Sequence, residues 1–408
     1  GIVMNQITLE NIMLICQKCF SYLDARIDDH PSQVAYLYWR LLDNRGTYSK
    51  KELYDLVTIA LLHDIGSYKT KDFDKFLNID SPSYDHAIYG ALFIKHFSPI
   101  SHLSDIILYH HSDYESYESP YKPETSLLYF IDRMSIFFNY SWQIEDFFLS
   151  LNTEIDSQFI SEFHEINRKE NLIDNIQTGY FKQLLRNFFA KSIQSPENAI
   201  KYLSMISYTI DLRSECTVLH TIMVSAISNF LAQKMNYNHS MVQKISLAAM
   251  LHDIGKISTP INILEKPGKL TNEEMEIMRE HVTITYEILE NLGSRDVQEY
   301  ASYHHEKLDG TGYPFGLKKD QLSIPARIII VADIMGALMA ARSYKESFPK
   351  DKIINILSEL AAQSKIDQSL VDLVIDKYDD FCQYLSSLSN PYHKFKNEYM
   401  SIVTKMSP

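Results

Sequence analysis

Seven residues of this chain, His220, His252, Asp253, His281, His304, His305 and Asp333, carry the side chains that bind transition metals. Imidazoles combined with carboxylates suit iron or manganese, and also zinc, nickel or cobalt, whereas calcium and magnesium prefer all-oxygen shells. In a His-Asp dipeptide the imidazole can hold one ion while the carboxylate, with two oxygens, reaches a second. We therefore expect two ions bridged by Asp253, one also held by His220, His252 and Asp333 and the other by His281, His304 and His305. Adjacent His304 and His305 would project about 100° apart on a helix, so both reach one ion only where a helix end faces the site. Two cations so placed would acidify a bridging water and clamp both oxygens of an in-line displacement at phosphorus. Phosphoester hydrolysis is the chemistry such a pair serves best.

The same set occurs a second time. "LLHDIGSYKT" at residues 61–70 repeats "MLHDIGKIST" at 250–259, and His30, His63, Asp64, His86, His110, His111 and Asp132 follow the order of the later seven. One buried histidine is ordinarily a core residue bonded to a carbonyl, but ten of the fifteen histidines fall at matched positions, which packing does not explain. The tails also agree, "IDSQFISEFHEI" from Ile155 with "IDQSLVDLVIDKY" from Ile366.

The elements that must position these residues read as helices. Val224, Ile227 and Leu231 follow His220 on one face, as Val34, Leu37 and Leu41 follow His30. Thr271 with Glu274 forms a capping box opening the helix that carries His281, and Ser81-Pro82 supplies a cap and first-turn proline before His86. Glycine and proline are sparse, at 12 and 13 of 408 residues. The expected class is all-α, two tandem helical domains: 1–170, a helical connector over 171–214, a second domain over 215–390, and a tail over 391–408.

Composition narrows the partners. A formal net charge of −13 argues against DNA and anionic membranes. Four cysteines are too few for a disulfide scaffold, and Cys16 and Cys19 form a lone C-x-x-C. With no apolar run of membrane-spanning length and no signal-peptide pattern, a cytoplasmic location is the default expectation.

At this point the second copy resembles a known family. "HDIGK", "ILEKPGKLTNEE", "HHEKLDGTGYP" and "RIIIVADIMGAL" occur in the order seen in the HD-GYP domain, a bacterial branch of the HD metal-dependent phosphohydrolases. The resemblance covers about residues 215 to 380. It implies an all-helical domain with two or three metals and phosphodiesterase activity on a cyclic dinucleotide, cyclic di-GMP or 3'3'-cyclic GMP-AMP. It also implies that Asp253 and Lys256 act in catalysis, Lys256 contacting the substrate phosphate. Gly312, Tyr313 and Pro314 form the name-giving loop. By position, Lys256 lies one helical turn from His252, and Tyr313 could stack on a base. Arg342 and Lys266 are weaker candidates for the phosphate. The glycines of "DGTGYP" would let backbone approach a ligand, or would simply make a tight turn. This chain has Cys216 where some members carry a glutamate that helps hold a third metal, so we expect a binuclear site. Gly336 and Ser343 replace the family's usual aspartate and proline.

The first copy lacks these additions. Ser67 stands where the second copy has Lys256, with Lys69 and Lys71 as substitutes, and "HHSDYESYESP" replaces "HHEKLDGTGYP". Three roles stay open for it: a regulatory or packing domain, a metal-bound sensor, or a second hydrolase. For the chain as a whole, the rivals to a phosphodiesterase are a silent cyclic-dinucleotide sensor and an HD nucleotidase. A homodimer or a regulatory protein partner would be compatible with either.

Overall fold

A computed structural model describes residues 6–23, 29–67, 84–140, 143–213, 215–340, 348–388 and 391–406. Ser81-Pro82, Lys69, Lys71, Arg342 and Ser343, and the side chains of Glu215 and Cys216, lie outside the described residues. Among the described residues the fold is all-α, with only isolated bridges. The chain forms two compact units, Thr8–Gln194 with His393–Pro408, and Ser195–Tyr392 with the first seven residues.

In the Thr8–Gln194 unit, the Lys122–Tyr140 helix buries Leu127, Leu128, Phe130, Ile131 and Met134, with Asp132 among them. It packs on the His30–Arg45 helix, which starts with His30-Pro31, a proline in its first turn where no backbone N–H is needed. Phe130, Phe148 and Phe163 continue the core toward the Glu154–Glu170 helix, with Phe148 and Phe163 rings 5.8 Å apart.

In the second unit, the Glu215–Lys234 helix packs on both His239–Leu251 and Ile324–Met339. The last of these buries Ile328, Ile329, Ile330, Val331 and Ala332 in succession, so it is apolar all round and central. Asp333 is the one charged side chain in its buried run. Gly336 has a packing reason, since a Cβ there would stand 3.0 Å from Val224 Cγ2. Helix starts follow ordinary capping chemistry: Ser195, Asn238, Ser323 and Asp367 each accept a backbone N–H, and Thr271 with Glu274 completes the expected box.

Two boundaries differ from the sequence expectation. The connector over 171–214 is not a separate element: residues to 194 join the first unit, and the Pro196–Asp211 helix belongs to the second, where Ser207 Oγ donates to the Met250 carbonyl at 2.7 Å. The expected tail is a helix, Pro391–Met406, and from His393 on it is part of the first unit. Phe395 and Tyr399, one turn apart, stack on Phe93 at 5.0 Å and Tyr89 at 4.4 Å, while Glu398 pairs with Lys95 and His96. This helix thus docks on the helix that carries His86.

The repeated glycine of His-Asp-Ile-Gly also has a steric cause. A Cβ on Gly255 would lie 2.0 Å from the His281 carbonyl oxygen and 2.7 Å from the Thr285 nitrogen. At Gly66 it would lie 1.9 Å from the His86 oxygen. In each copy only glycine lets the turn after His-Asp touch the backbone of the helix that carries the next histidine of the set.

Candidate metal centre

In the second unit the first candidate ligand, His220, sits on the Glu215–Lys234 helix, and His252 caps the end of His239–Leu251. Asp253 follows at the entry to a short 3₁₀ turn, Ile254–Ser258. His281 lies midway along Asn272–Leu289, and His304 and His305 come just after the Arg295–Ser302 helix ends. The adjacent pair therefore occupies a helix end, as the spacing required.

The seven side chains converge. His220 Nε2 lies 2.8 Å from Asp333 Oδ1, and His252 Nε2 lies 3.1 Å from Asp253 Oδ2 and 3.4 Å from Asp333 Oδ1. On the other side, Asp253 Oδ1 lies 3.3 Å from His281 Nε2 and 3.5 Å from His304 Nε2, which are 3.2 Å from each other. Two nitrogens held at right angles about 2.1 Å from one ion would be about 3.0 Å apart, so this spacing suits a shared ion. Each oxygen of Asp253 thus faces one half of the set. His305 is more peripheral, its Nδ1 4.0 Å from Asp333 Oδ2.

The residues fit a metal on a further ground. His252 Nε2 is fully buried and faces carboxylate oxygens, Asp253 Oδ2 at 3.1 Å and Asp333 Oδ1 at 3.4 Å, so a neutral imidazole there turns its lone pair toward two buried anions, an arrangement that a cation among them would satisfy. Its other nitrogen is held by the Ala249 carbonyl at 2.6 Å, as His281 and His304 are held by the carbonyls of Met278 and Ala301. These contacts place the proton on Nδ1 and turn Nε2 inward. Burial, followed by the neighbouring His304, drives His305 down to about 2, and burial also lowers His281, so both stay neutral and able to ligate. Burial opposes charge on His252, but Asp253 more than offsets it and lifts the pKa to about 10.

Lys256 differs from its expected placement. It does not continue the helix of His252, because the chain turns into the 3₁₀ segment where Gly255 meets the His281 backbone. Its ammonium nonetheless reaches the site, 3.0 Å from Asp253 Oδ2. Burial penalises that charge and Asp253 outweighs the penalty, so the pKa is raised and Lys256 stays protonated.

Of the loop residues, Tyr313 stacks on His305, with centroids 5.0 Å apart and planes 17° apart, and Arg279 lies over its ring at 5.0 Å. The expected approach of loop glycine to ligand takes another form. Gly312 faces the protein, where a Cβ would stand 2.5 Å from the His305 oxygen and the Lys307 nitrogen. Gly310, with φ +81°, makes the turn, and the Tyr313–Pro314 peptide is cis. Lys266 is committed to Glu274 of the capping box, which removes it as a phosphate candidate.

Sequence reasoning missed three positioning groups. Arg213, in the supposed connector, is buried and donates to the carbonyls of Lys256, Ile257 and Thr259 at 3.0 to 3.1 Å. No local pattern announces it. Glu306, fully buried beside the histidine pair, accepts from Phe315 N at 2.7 Å and Leu317 N at 3.1 Å, so it closes the loop. A charged residue after His-His was the available signal. Arg279 lies two positions before His281 and reads as a surface charge until Tyr313 is placed beneath it. Glu306→Gln sets an amide N–H₂ against one of those backbone donors, at a cost of about 1–3 kcal/mol in loop closure. We expect KM to rise about tenfold or more with little change in metal content, read by steady-state kinetics beside metal analysis.

The first unit repeats this geometry. His30 Nε2 lies 2.8 Å from Asp132 Oδ1, His63 Nε2 lies 2.8 Å from Asp64 Oδ2, and His111 Nε2 lies 2.9 Å from His86 Nε2. The His30 and His63 rings stand 5.4 Å apart at 61°, matching His220 and His252.

Comparison with known proteins follows the same division. Residues 201–370 match one family model described as HD domain, and residues 27–136 match another of the same description. Over 90% of its length the chain is 26% identical to the 3'3'-cGAMP-specific phosphodiesterase 1 of Vibrio cholerae serotype O1, of which it spans 91%. It is 36% identical to the cyclic di-GMP phosphodiesterase response regulator RpfG of Xanthomonas campestris pv. campestris, over 43% of this chain and 47% of that protein. A cyclic di-GMP phosphodiesterase of Thermotoga maritima is also 36% identical, over 46% of this chain and 54% of that one. The chain thus spans about half the length of the latter two. The crystal structure of the cyclic GMP-AMP-specific phosphodiesterase V-cGAP3 of V. cholerae matches 94% of the chain and 99% of its own, at a TM-score of 0.55 and 19% identity, a likeness of fold.

Proposed function

We propose that this chain, which belongs to the HD phosphohydrolases through both of its domains and to the HD-GYP branch through the second, is a metal-dependent phosphodiesterase that opens a cyclic dinucleotide. The observation that carries the reading is the Asp253 carboxylate: its two oxygens face two separate histidine groups, and the Lys256 ammonium lies 3.0 Å from one of them. Bound there, two divalent ions, iron or manganese by the donor set, supply positive charge that acidifies water and screens the phosphate oxygens.

The chain's own groups do the rest. Asp253 and Asp333 hold His220 and His252 in register, and the carbonyls behind His252, His281 and His304 keep each Nε2 turned inward. Lys256 places a fixed positive charge where a five-coordinate phosphorus gains negative charge, the kind of preorganised contact that favours a transition state over a bound substrate. Arg213 fixes the backbone beneath Lys256. Tyr313, stacked on His305 with Arg279 over its ring, holds that histidine's plane and forms an aromatic wall of the site that a base can approach. In the overall reaction a water oxygen bonds to phosphorus, the bond from phosphorus to the 3′ oxygen breaks, and that oxygen leaves as a hydroxyl. The product is a linear dinucleotide, which a second cut would convert to mononucleotides.

The relative matched over 90% of this chain is named for 3'3'-cGAMP, while relatives matched over less than half of it are named some for cyclic di-GMP and some for 3'3'-cGAMP, so both nucleotides are candidate substrates. The test is a chromatographic assay of the full chain, loaded with Mn²⁺ or with Fe²⁺ under anaerobic conditions, against both nucleotides. Linear product from either supports the proposal. Metal-loaded protein that binds a nucleotide yet releases no product over hours rejects it in favour of a silent sensor.

A further inference from the structure

A cyclic dinucleotide carries two phosphates, each with a negative charge, and the centre described above faces only the one that is cut. The other lies across the sugar-phosphate ring. A chain of formal net charge −13 repels it unless a local cation answers it.

The cations around the Gly312–Pro314 loop differ in whether a carboxylate already holds them. Lys256 faces Asp253 at 3.0 Å, Lys266 is joined to Glu274, and Lys365 reaches Asp309 at 2.6 Å and Thr311 Oγ1 at 2.8 Å. Arg279 is exposed, and among the described residues no carboxylate or other acceptor engages its guanidinium. The group is nonetheless held in place. It lies 5.0 Å from the centre of the Tyr313 ring, which stacks on His305, so it stands one aromatic ring away from a candidate metal ligand.

That ring is itself fixed to the Asn272–Leu289 helix. Phe315, two residues after Tyr313, meets Tyr286 with ring centroids 5.3 Å apart and Tyr303 at 5.8 Å. Arg279 and Tyr286 are seven residues apart on this helix and share a face, so the loop runs along the face that bears Arg279. Glu306 secures the same stretch by accepting from Phe315 N and Leu317 N. A guanidinium laid on a fixed ring is preorganised, with its planar fork of N–H donors free at the edge, and that fork matches phosphate oxygens.

We propose that Arg279 is a specificity residue that binds the second, uncut phosphate of a cyclic dinucleotide, so that the centre selects a substrate with two phosphates over one with a single phosphate. This inference rests on the phosphodiesterase reading of the same centre. The test compares Arg279→Gln and Arg279→Lys with the parent, all as full chains loaded with Mn²⁺. Equilibrium dialysis would use two probes: cyclic di-GMP with both phosphates as phosphorothioates, which resists cleavage, and the linear dinucleotide GpG, which keeps both guanines but only one phosphate. Arg279→Gln should weaken the first probe about tenfold or more and leave GpG and the ion content unchanged. Arg279→Lys should recover part of the loss as a point charge. Affinity of the parent for the first probe should fall more steeply with salt than that of Arg279→Gln. In turnover of cyclic di-GMP, KM should rise about tenfold with kcat within a few-fold.

Equal affinity of parent and Arg279→Gln for the first probe would overturn the proposal, as would a parent that does not bind it. Weakened GpG would also overturn it, assigning Arg279 to a base or to the support of Tyr313 and His305. A parent that binds the first probe yet cuts no cyclic dinucleotide would remove the phosphodiesterase reading and leave the ratio of affinities to judge Arg279.

Discussion

His252→Ala/Asp253→Ala is expected to abolish cyclic dinucleotide hydrolysis, by at least about 10³-fold, or roughly 4 kcal/mol of barrier. Both side chains are buried, and Asp253 touches both halves of the set, so its loss leaves neither half complete. A buried carboxylate removed from among histidines also strands those nitrogens unpaired, at a cost of several kcal/mol to the metal-free fold. Metal analysis must therefore accompany the product assay, together with a melting curve to show that the variant is folded. His63→Ala/Asp64→Ala is the matched control in the first unit and should retain turnover within a few-fold. Loss of product in that control alone would assign the chemistry to the wrong domain here. Residual activity within tenfold in the His252/Asp253 variant would remove Asp253 from the mechanism.

Lys256→Met is the second large effect. Its ammonium is the cation closest to Asp253, and burial with Asp253 beside it keeps it charged through the neutral range. Removing one preorganised charge from a site where negative charge develops costs about 10²–10³ in kcat. Because the contact strengthens in the transition state, KM should change far less than kcat, and the ion content should stay near that of the parent chain. Lys256→Arg would restore part of the rate if charge alone matters, although a planar guanidinium fits the same space poorly. A variant whose KM rises with kcat unchanged would make Lys256 a ground-state binding residue and leave the transition-state charge to the metals.

Much of this site was legible in the chain. The candidate metal ligands differ chemically from their helical surroundings, and their duplication argues against packing as an explanation for them. The His304-His305 pair demanded a helix end, and the structure has one there. The fold class followed from the sparse glycine and proline and the helical spacing of apolar residues, and the capping box at Thr271 appears as read.

What escaped the sequence depends on long-range contact. Lys256 reads as one turn from His252 on a continuous helix, yet the 3₁₀ turn exists because Gly255 must pass the backbone of a helix that begins seventeen residues later. Arg213 looks like connector until its guanidinium is seen on three carbonyls. Residues 391–408 read as a tail, because the helical pairing of Phe395 and Tyr399 has meaning only against Tyr89 and Phe93, some three hundred residues earlier.

The sequence by itself determined the donor atoms, their order and the helices that bear them, because ligand chemistry and helical period are local properties of residue type and spacing. Only the tertiary structure decided which oxygen of Asp253 meets which histidines, and which cation stands beside them. Those features depend on the distance and burial of side chains far apart in the chain, which only packing sets.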